Sequence, residues 1–214
     1  MIVGYGVYTE LISHLIEGKA VETTPMKKEK ERCRIALSHA LKGRTVALVC
    51  SGDAGVYGMA GLMMETAAAC ASLDIKVVSG VTAACFCAGV LGAPLMHDFA
   101  VISLSDLLIP WEKIEKRLRL AADADFVVCL YNPSSQKRAD YLKKACRCLM
   151  EYKTPETKCG FVRNAGRDGE QKTLCMLGEL AQMQVDMFTT VIVGNSETKV
   201  INGRLVTPRG YKAL

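Results

Sequence analysis

The chain has 214 residues, of which 50% are hydrophobic and 23% charged, and this composition excludes a disordered or fibrous protein. Its longest apolar stretches fall short of the roughly 18–20 residues that span a membrane, and its first residues lack the pattern of a secretory signal, so we expect a cytoplasmic protein without membrane association. The net charge of +5 is compatible with an acidic partner.

Strand-like runs alternate with helical patterns along the chain, which is typical of βαβ units and of a largely parallel sheet at the start. The predicted strands cover residues 2–5, 45–50, 75–78, 100–104, 125–130, 159–162 and 189–193, and an Asn-Gly pair predicts a hairpin over residues 200–206. The predicted helices cover residues 8–16, 28–42, 60–72, 83–91, 110–122 and 137–152.

The pattern changes near residue 107, where a strand-like run ends and Pro110 fits the first turn of a charged helix. We therefore predict two α/β lobes, residues 1–107 and 108–214, of which the second is more mixed or antiparallel. The first lobe holds 9 Lys/Arg and 10 Asp/Glu and the second holds 18 and 12, which gives −1 and +6. A basic second lobe suits an acidic partner, although solvated helix faces would give the same excess. Nucleic acid is a poor candidate, because only 6% of the residues are aromatic and no basic run interleaves with them.

Ten cysteines are present, but no two of them form a Cys-x-x-Cys pair. Several replace a small apolar residue within a strand or helix pattern, as Cys50 and Cys129 do, and a free cysteine in such a place behaves as a small hydrophobic residue. We therefore predict core residues and no metal site, since the ligand spacing is wrong for a metal.

A glycine-rich loop, residues 51–58, follows the predicted strand over residues 45–50, where open α/β sheets place their ligands. Its glycines allow the backbone to approach a ligand closely, and Asp53 can accept hydrogen bonds from a ribose or an amine. A phosphate loop is excluded, because there is no Gly-Lys-Ser/Thr and Asp53 would repel a phosphate. Residues 80–84 repeat the design after the next strand, so the two turns are expected to line one ligand site; the alternative is a pair of plain tight turns.

His97 and Asp98 lie just before the predicted lobe boundary. An imidazole titrates near neutrality, so His97 could serve as a general base or a hydrogen-bond donor. The alternative is a loop histidine with a structural hydrogen bond. Ser103, Ser105 and Asp106 follow closely enough to form a polar cluster, but these residues do not define a catalytic triad.

Two polar turns end strands of the second lobe. Tyr131, Asn132 and Pro133 end one strand, where Asn132 offers both a donor and an acceptor. Residues 163–167 end the next strand in the same way. Each turn alone is typical of a plain connecting loop. A ligand site shared by both turns requires that the two strand ends face the same ligand.

Five segments together carry a resemblance to a known family, and they span the chain in order: residues 51–60 (SGDAGVYGMA), 92–99 (GAPLMHDF), 103–108 (SLSDLL), 131–133 (YNP) and 207–211 (TPRGY). They resemble the precorrin-3B C(17)-methyltransferase and cobalt-factor III methyltransferase family of cobalamin biosynthesis. The Ser-Gly-Asp and Gly-Val-Thr-Ala elements are shared with the wider tetrapyrrole methylase superfamily, whereas the His-Asp-Phe and Leu-Ser-Asp-Leu-Leu segments are specific to this branch.

The resemblance implies the class III methyltransferase fold, with two α/β lobes, S-adenosyl-L-methionine in the cleft between them, and a homodimer. It also implies a set of cofactor-binding residues: Gly52, Asp53, Ala54, Tyr57, Thr82, Ala83, Tyr131, Asn132, Ala165, Gly166, Thr207 and Pro208. No metal is implied.

The activity that the resemblance implies is methyl transfer to carbon 17 of precorrin-3B or its cobalt counterpart, coupled to contraction of the macrocycle. Contraction needs the removal of a hydroxyl proton, for which His97, Asp98 or Asp106 is the candidate base. The carboxylates of a tetrapyrrole fit the basic second lobe, where Arg163 or Arg167 could pair with them. Alternatives are methylation at another carbon and a non-catalytic protein that binds cofactor or corrinoid.

One departure from the family pattern bears on the alternatives. Members usually carry, before the first strand seen here, a strand and a Gly-x-Gly-Pro-Gly loop that borders the tetrapyrrole. The sequence contains no such loop. We expect that the natural protein starts upstream of Met1 and carries this loop. The alternative is that the protein has lost part of its active site.

Overall fold

The structure, a computed structural model, describes residues 1–135 and 138–211, and the chain forms two compact units, Met1–Thr82 and Ala83–Leu214. The predicted lobe boundary near residue 107 does not coincide with this division, because residues 83–107 belong to the second unit. The start of the helix predicted from Lys137 and the last three residues of the predicted second lobe lie outside the described residues.

The first unit is built on a three-stranded parallel sheet in the order β2-β1-β3. Its strands are β1 (Ile2–Tyr5), β2 (Val21–Thr24) and β3 (Ala47–Val49), and its helices are α1 (Gly6–Leu11), α2 (Glu29–Leu41) and α3 (Ala60–Thr66), with a 3-10 turn at Ser13–Leu15. Glu29 and Glu31 occupy the first turn of α2, where acidic side chains interact favourably with the helix dipole, and Cys33 and Ala36 are buried. The predicted parallel arrangement at the start of the chain is confirmed.

The strand predicted over residues 75–78 is wrong, because this segment forms no strand. A cavity of about 760 Å³ lies between β3 and residues 73–78, with α2 and α3 residues such as Ala40 and Met63 also lining it. A strand needs a hydrogen-bonded neighbour, and the cavity separates residues 75–78 from the edge of β3. Val78 accordingly remains exposed despite its β-branched side chain.

The second unit contains a five-stranded mixed sheet in the order β5-β6-β9-β7-β8 and a small three-stranded sheet in the order β10-β11-β4. The strands are β4 (Gly92–Ala93), β5 (Phe99–Ser103), β6 (Val127–Tyr131), β7 (Lys158–Arg163), β8 (Gln171–Met176), β9 (Thr189–Val193), β10 (Lys199–Ile201) and β11 (Arg204–Val206). The helices are α4 (Ala83–Leu91), α5 (Trp111–Asp123), α6 (Tyr141–Met150) and α7 (Leu177–Leu180). β5 and β6 are parallel, whereas β9 is antiparallel to both β6 and β7. The mixed arrangement expected in the second half is confirmed, as is the Asn202-Gly203 hairpin, whose two central residues both have positive φ.

The large sheet is covered on both faces, so its central strands are continuously apolar. Val128 and Leu130 belong to one hydrophobic cluster, with α5 and α6, while Val127 and Cys129 belong to another, with α4. Seven of the ten cysteines are buried, which confirms the core role predicted for Cys129, whereas Cys50 is half-buried. None of the helices in the described ranges has the length and hydropathy of a membrane-spanning segment.

Candidate functional site

In the first unit, the two glycine-rich turns predicted from the sequence meet. The carboxylate of Asp53 accepts two backbone hydrogen bonds, from Gly55 N to Oδ1 at 2.7 Å and from Gly80 N to Oδ2 at 2.9 Å. Gly80 approaches the carbonyl group of Gly52 so closely that a Cβ at residue 80 would overlap it. The loop after β3 is thus joined to the turn that leads into α4.

These hydrogen bonds stabilise the ionised form of the Asp53 carboxyl. The N–H groups of Gly80 and Gly55 hold the pKa of the Asp53 carboxyl below its usual range. Asp53 is therefore ionised at neutral pH, and because each oxygen has a second lone pair, it can still accept a hydrogen bond from a ligand. Tyr57, in the same loop, has a left-handed backbone with a φ of 53°, and its side chain is exposed.

In the second unit, the start of α4 is tied to the end of β6. Ala84 N donates a hydrogen bond of 2.7 Å to the hydroxyl of Tyr131, which satisfies one of the free N–H groups of the first helical turn. Phe86 of the same turn lies against Gly166, at which an added Cβ would be 3.1 Å from the ring. Four predicted cofactor-binding positions are thus close together: Ala83, Tyr131, Ala165 and Gly166.

The topology of the large sheet explains this gathering. β9 is antiparallel to both β6 and β7, so β6 and β7 run in the same direction, and β5 is parallel to β6. The carboxyl ends of these three strands therefore share one edge of the sheet. Asn132 after β6 and Asn164 after β7 both adopt a left-handed backbone, with φ of 52° and 51°, which turns the chain away at that edge.

A hydrogen-bonded polar group, here called the Asp106 cluster, lies at the same edge. Asn132 Nδ2 donates to Ser103 Oγ at 3.0 Å, and Tyr141 donates from its hydroxyl to Asp106 Oδ2 at 2.6 Å. Arg138 Nη1 donates to Ser105 Oγ at 2.7 Å and reaches Asp106 Oδ1 at 3.4 Å. The cluster comprises Ser103, Ser105, Asp106, Asn132, Arg138 and Tyr141.

The cluster keeps Asp106 ionised. The hydrogen bond from Tyr141, aided by Arg138, lowers the pKa of the Asp106 carboxyl, and the same bond raises the pKa of the Tyr141 hydroxyl. Asp106 is therefore a weak base and a strong hydrogen-bond acceptor. The expectation of a polar cluster around Ser103, Ser105 and Asp106 is met, and the structure adds Arg138 and Tyr141 to it.

His97 and Asp98 lie at the other end of β5. Asp98 is adjacent to the first residue of the strand, and its carbonyl accepts a hydrogen bond from Val127 N at the start of β6. At about 3.3 Å per residue, the five residues of β5 separate the two ends by about 13 Å. His97 is exposed, and its ring makes no hydrogen bond within the described part of the chain. The structure therefore does not bring His97 and Asp98 together with Asp106.

Thr207 and Pro208 are also remote from the Asp106 cluster. Thr207 is fully buried, with its hydroxyl 2.8 Å from that of Thr198, which in turn accepts a hydrogen bond from Asn195 N. Asn195 follows the carboxyl end of β9, and because β9 is antiparallel to β6, that end lies at the amino end of β6. Thr207 is therefore placed at the opposite edge of the sheet from Asn132.

Comparisons with known proteins identify the chain. The family model described as Tetrapyrrole (Corrin/Porphyrin) Methylases matches residues 1–181. The chain belongs to the tetrapyrrole methylase family. It is 48% identical, over 213 residues, to a protein of Salmonella typhimurium named "Probable cobalt-factor III C(17)-methyltransferase", with 99% of this chain and 88% of the relative covered.

Solved structures agree with this assignment to the tetrapyrrole methylases. The crystal structure of the methyltransferase CobJ matches with a TM-score of 0.89 and 36% identity, covering 97% of this chain and 87% of that one. Uroporphyrin-III C-methyl transferase from Thermus thermophilus, complexed with S-adenyl homocysteine, shares the fold with a TM-score of 0.67 and 22% identity, covering 90% and 84%. The predicted family, its fold and the prediction of a methyltransferase are confirmed.

Two arginines were predicted to meet substrate carboxylates in this tetrapyrrole methylase, and both have other contacts. Arg163 Nε forms an ion pair of 2.7 Å with Asp186 Oδ2, and the guanidinium of Arg167 lies 5.9 Å from the ring centre of Phe188. Sequence reasoning did not single out Arg138 and Tyr141, because no local motif marks them. Within residues 1–135 and 138–211, no group of three or more His, Cys, Asp or Glu is arranged to hold a metal ion.

Proposed function

We propose that this tetrapyrrole methylase transfers a methyl group from S-adenosyl-L-methionine to carbon 17 of cobalt-factor III or precorrin-3B, with contraction of the macrocycle, in cobalamin biosynthesis. The observation that carries the proposal is the likeness to a cobalt-factor III C(17)-methyltransferase over nearly the whole chain at 48% identity. We further propose a homodimer in the cytoplasm, for which the family resemblance and the sequence pattern are the support.

The residues proposed to hold S-adenosyl-L-methionine fit its chemistry. The cofactor is a cation at sulfur and carries an ammonium and a ribose, and the ionised Asp53 can accept from such donors. A Cβ at Gly80 would collide with the backbone carbonyl of Gly52, so the absence of a side chain lets the two turns approach and offer peptide groups at close range. Five residues of the second unit that share one sheet edge are proposed as further cofactor contacts: Ala83, Tyr131, Asn132, Ala165 and Gly166. Thr207 is buried, so it would influence cofactor binding through the residues around it.

When bound, S-adenosyl-L-methionine supplies an activated methyl group. The chain's own contribution to the methyl transfer is then to hold the nucleophilic carbon in line with that methyl group and to exclude water. Rigid elements suit this role, and the hydroxyl of Tyr131 links the end of β6 to the start of α4. No covalent intermediate with the protein is required.

Among the three candidate bases for ring contraction, we place Asp106 first, since it shares a sheet edge with Tyr131 and Asn132. Its lowered pKa suits a carboxylate that accepts a hydrogen bond from the substrate hydroxyl and orients it, with only weak general-base character. His97, at the opposite end of β5, is the second candidate. Comparing Asp106→Asn with His97→Ala decides between them: the variant that loses contraction but retains methylation identifies the group.

The proposed function is tested with the purified chain in two steps. Calorimetric titration with S-adenosylhomocysteine measures cofactor binding, and mass spectrometry with NMR of the product locates the added methyl group on cobalt-factor III and, separately, on precorrin-3B. Methylation at carbon 17 is expected. Cofactor binding without methylation of either substrate would favour a binding protein, and methylation elsewhere would favour a different tetrapyrrole methyltransferase. Light scattering on the same sample tests the homodimer.

A further inference from the structure

The guanidinium of Arg138 lies near the carboxyl ends of β5 and β6 and makes hydrogen bonds with only part of its N–H groups. Its Nε donates to Ser135 Oγ at 3.0 Å, and its Nη1 donates to Ser105 Oγ at 2.7 Å. The remaining two donors are on Nη2, for which the described residues provide no hydrogen-bond partner. A guanidinium has five N–H donors in a planar fork, so one side of the Arg138 fork is available to a ligand.

Asp106 does not neutralise this arginine fully. The contact between Nη1 and Asp106 Oδ1 is a single one of 3.4 Å, longer than the paired bonds of about 2.7–2.9 Å typical of an Arg–carboxylate fork. The stronger bond to Asp106 comes from the neutral Tyr141 hydroxyl, at 2.6 Å. Arg163, by comparison, has its carboxylate partner Asp186 at 2.7 Å.

The guanidinium is also held in place before any ligand arrives. Two serine hydroxyls fix it, and only 17% of the side chain is exposed. Little conformational entropy is then lost when it binds an anion. Ser135 and Ser105 are neutral acceptors, so they orient the positive charge without cancelling it.

We propose that Nη2 of Arg138 binds a carboxylate side chain of the tetrapyrrole and so anchors the substrate beside Asp106 and Asn132. This inference rests on the proposed function, since a carboxylate-bearing macrocycle must be the substrate. Arg138 is thus a substrate-binding residue, and Ser105, Ser135 and Tyr141 are positioning residues for the cluster. The location differs from that of Arg163 and Arg167, the arginines that the sequence suggested.

The test uses Arg138→Gln, Arg138→Lys and a matched control, Arg117→Gln, which removes the same charge from an exposed position on α5. Removing a charge-assisted hydrogen bond is expected to raise the KM for the tetrapyrrole, and its Kd by absorbance titration, roughly tenfold to hundredfold. The Kd for S-adenosylhomocysteine should change less than twofold. Arg138→Lys, which keeps the charge but not the fork, should fall between wild type and Arg138→Gln, and Arg117→Gln should match wild type.

Several outcomes would overturn the assignment. An unchanged tetrapyrrole Kd in folded Arg138→Gln, or equal weakening of cofactor and tetrapyrrole binding, would assign Arg138 a structural role only. If Arg138→Gln does not fold, Arg138→Lys and Ser135→Ala take its place, and a wild-type tetrapyrrole Kd in both would refute the proposal. A wild-type chain that binds the tetrapyrrole but does not methylate it would refute the proposed function alone, because the Kd comparison still reports on Arg138.

Discussion

Gly80→Ala tests the contact between the two glycine-rich turns of the first unit. The added Cβ would overlap the carbonyl oxygen of Gly52 and lie 3.2 Å from its carbonyl carbon. Both atoms belong to the backbone, so no side chain can rotate to relieve the overlap. The two turns would have to separate by about 1 Å, a backbone shift typical of an overpacked site.

That separation has two measurable consequences. The bond from Gly80 N to Asp53 Oδ2 would lengthen from 2.9 Å to about 3.9 Å, beyond hydrogen-bonding distance. Overpacking of this kind lowers the free energy of unfolding by about 1–3 kcal/mol, and each kcal/mol lowers Tm by about 2–4 °C in a chain of this size. If the turns also hold the cofactor, a displacement of this size should weaken S-adenosylhomocysteine binding roughly tenfold or more.

Gly61→Ala is the matched control, because Gly61 lies in α3 and an added Cβ would meet no atom within 4 Å. Replacing a helical glycine of this kind should raise stability by about 0.4–1 kcal/mol. Calorimetry of both variants, with S-adenosylhomocysteine titrations, compares them directly. If Gly80→Ala melts and binds like Gly61→Ala, the close approach of Gly52 and Gly80 is wrong; if only its stability falls, the contact is structural and the turns do not hold the cofactor.

Two further predictions concern Asp106 and the edge of the first sheet. The hydrogen bond from Tyr141 lowers the pKa of Asp106 in the folded state. This bond therefore stabilises the fold fully above the pKa of an unfolded Asp, about 3.9, and the stabilisation is lost as pH falls through the folded-state pKa of Asp106. The difference in unfolding free energy between wild type and Tyr141→Phe should therefore be constant near neutral pH and shrink below about pH 4. Denaturant unfolding of both proteins measures this difference, and an equal difference between their midpoints at pH 7 and at pH 3 would contradict the prediction. In β3, Ala47 N donates to the carbonyl of Met1, the residue before β1, whereas the register of β1 and β3 turns the amide of Leu48 to the other side of the strand, where the cavity lies. Hydrogen exchange measured by NMR should therefore be faster at Leu48 than at Ala47. Equal protection of the two amides would mean that another strand occupies the far side of β3.

The fold could be predicted from the sequence wherever burial dominates the pattern. All five residues of β9 are buried, and their run of Thr, Val and Ile reads as a strand. β2 and β8 were not predicted, because each is an edge strand, with a neighbour on one side only, and most of its residues are at least partly exposed. An edge strand is specified by the backbone hydrogen bonds of its neighbour, and these leave little trace in its own hydrophobic pattern.

The candidate site was predictable only where a loop motif marks the end of a strand. Asn132 and the loop containing Asp53 follow apolar runs directly, so their positions at strand ends could be read from the sequence. Arg138 and Tyr141 reach Asp106 from more than thirty positions along the chain, through a strand pairing that no local pattern reveals. Nine positions separate His97 from Asp106, which suggested proximity, but the intervening β5 places them at opposite edges of the sheet.

The incorrect strand at residues 75–78 has a different physical cause. Ile75, Val77 and Val78 have the side chains of a strand, and all three are exposed. Propensity describes how a side chain fits a pleated surface, whereas strand formation needs a partner whose peptide groups lie within hydrogen-bonding distance. Here the cavity separates this segment from β3, so a sequence with strand-like residues forms no strand. The same segment leads into Gly80, whose N–H donates to Asp53 in the loop after β3, so Gly80→Ala would disturb the attachment of this segment as well as the loop.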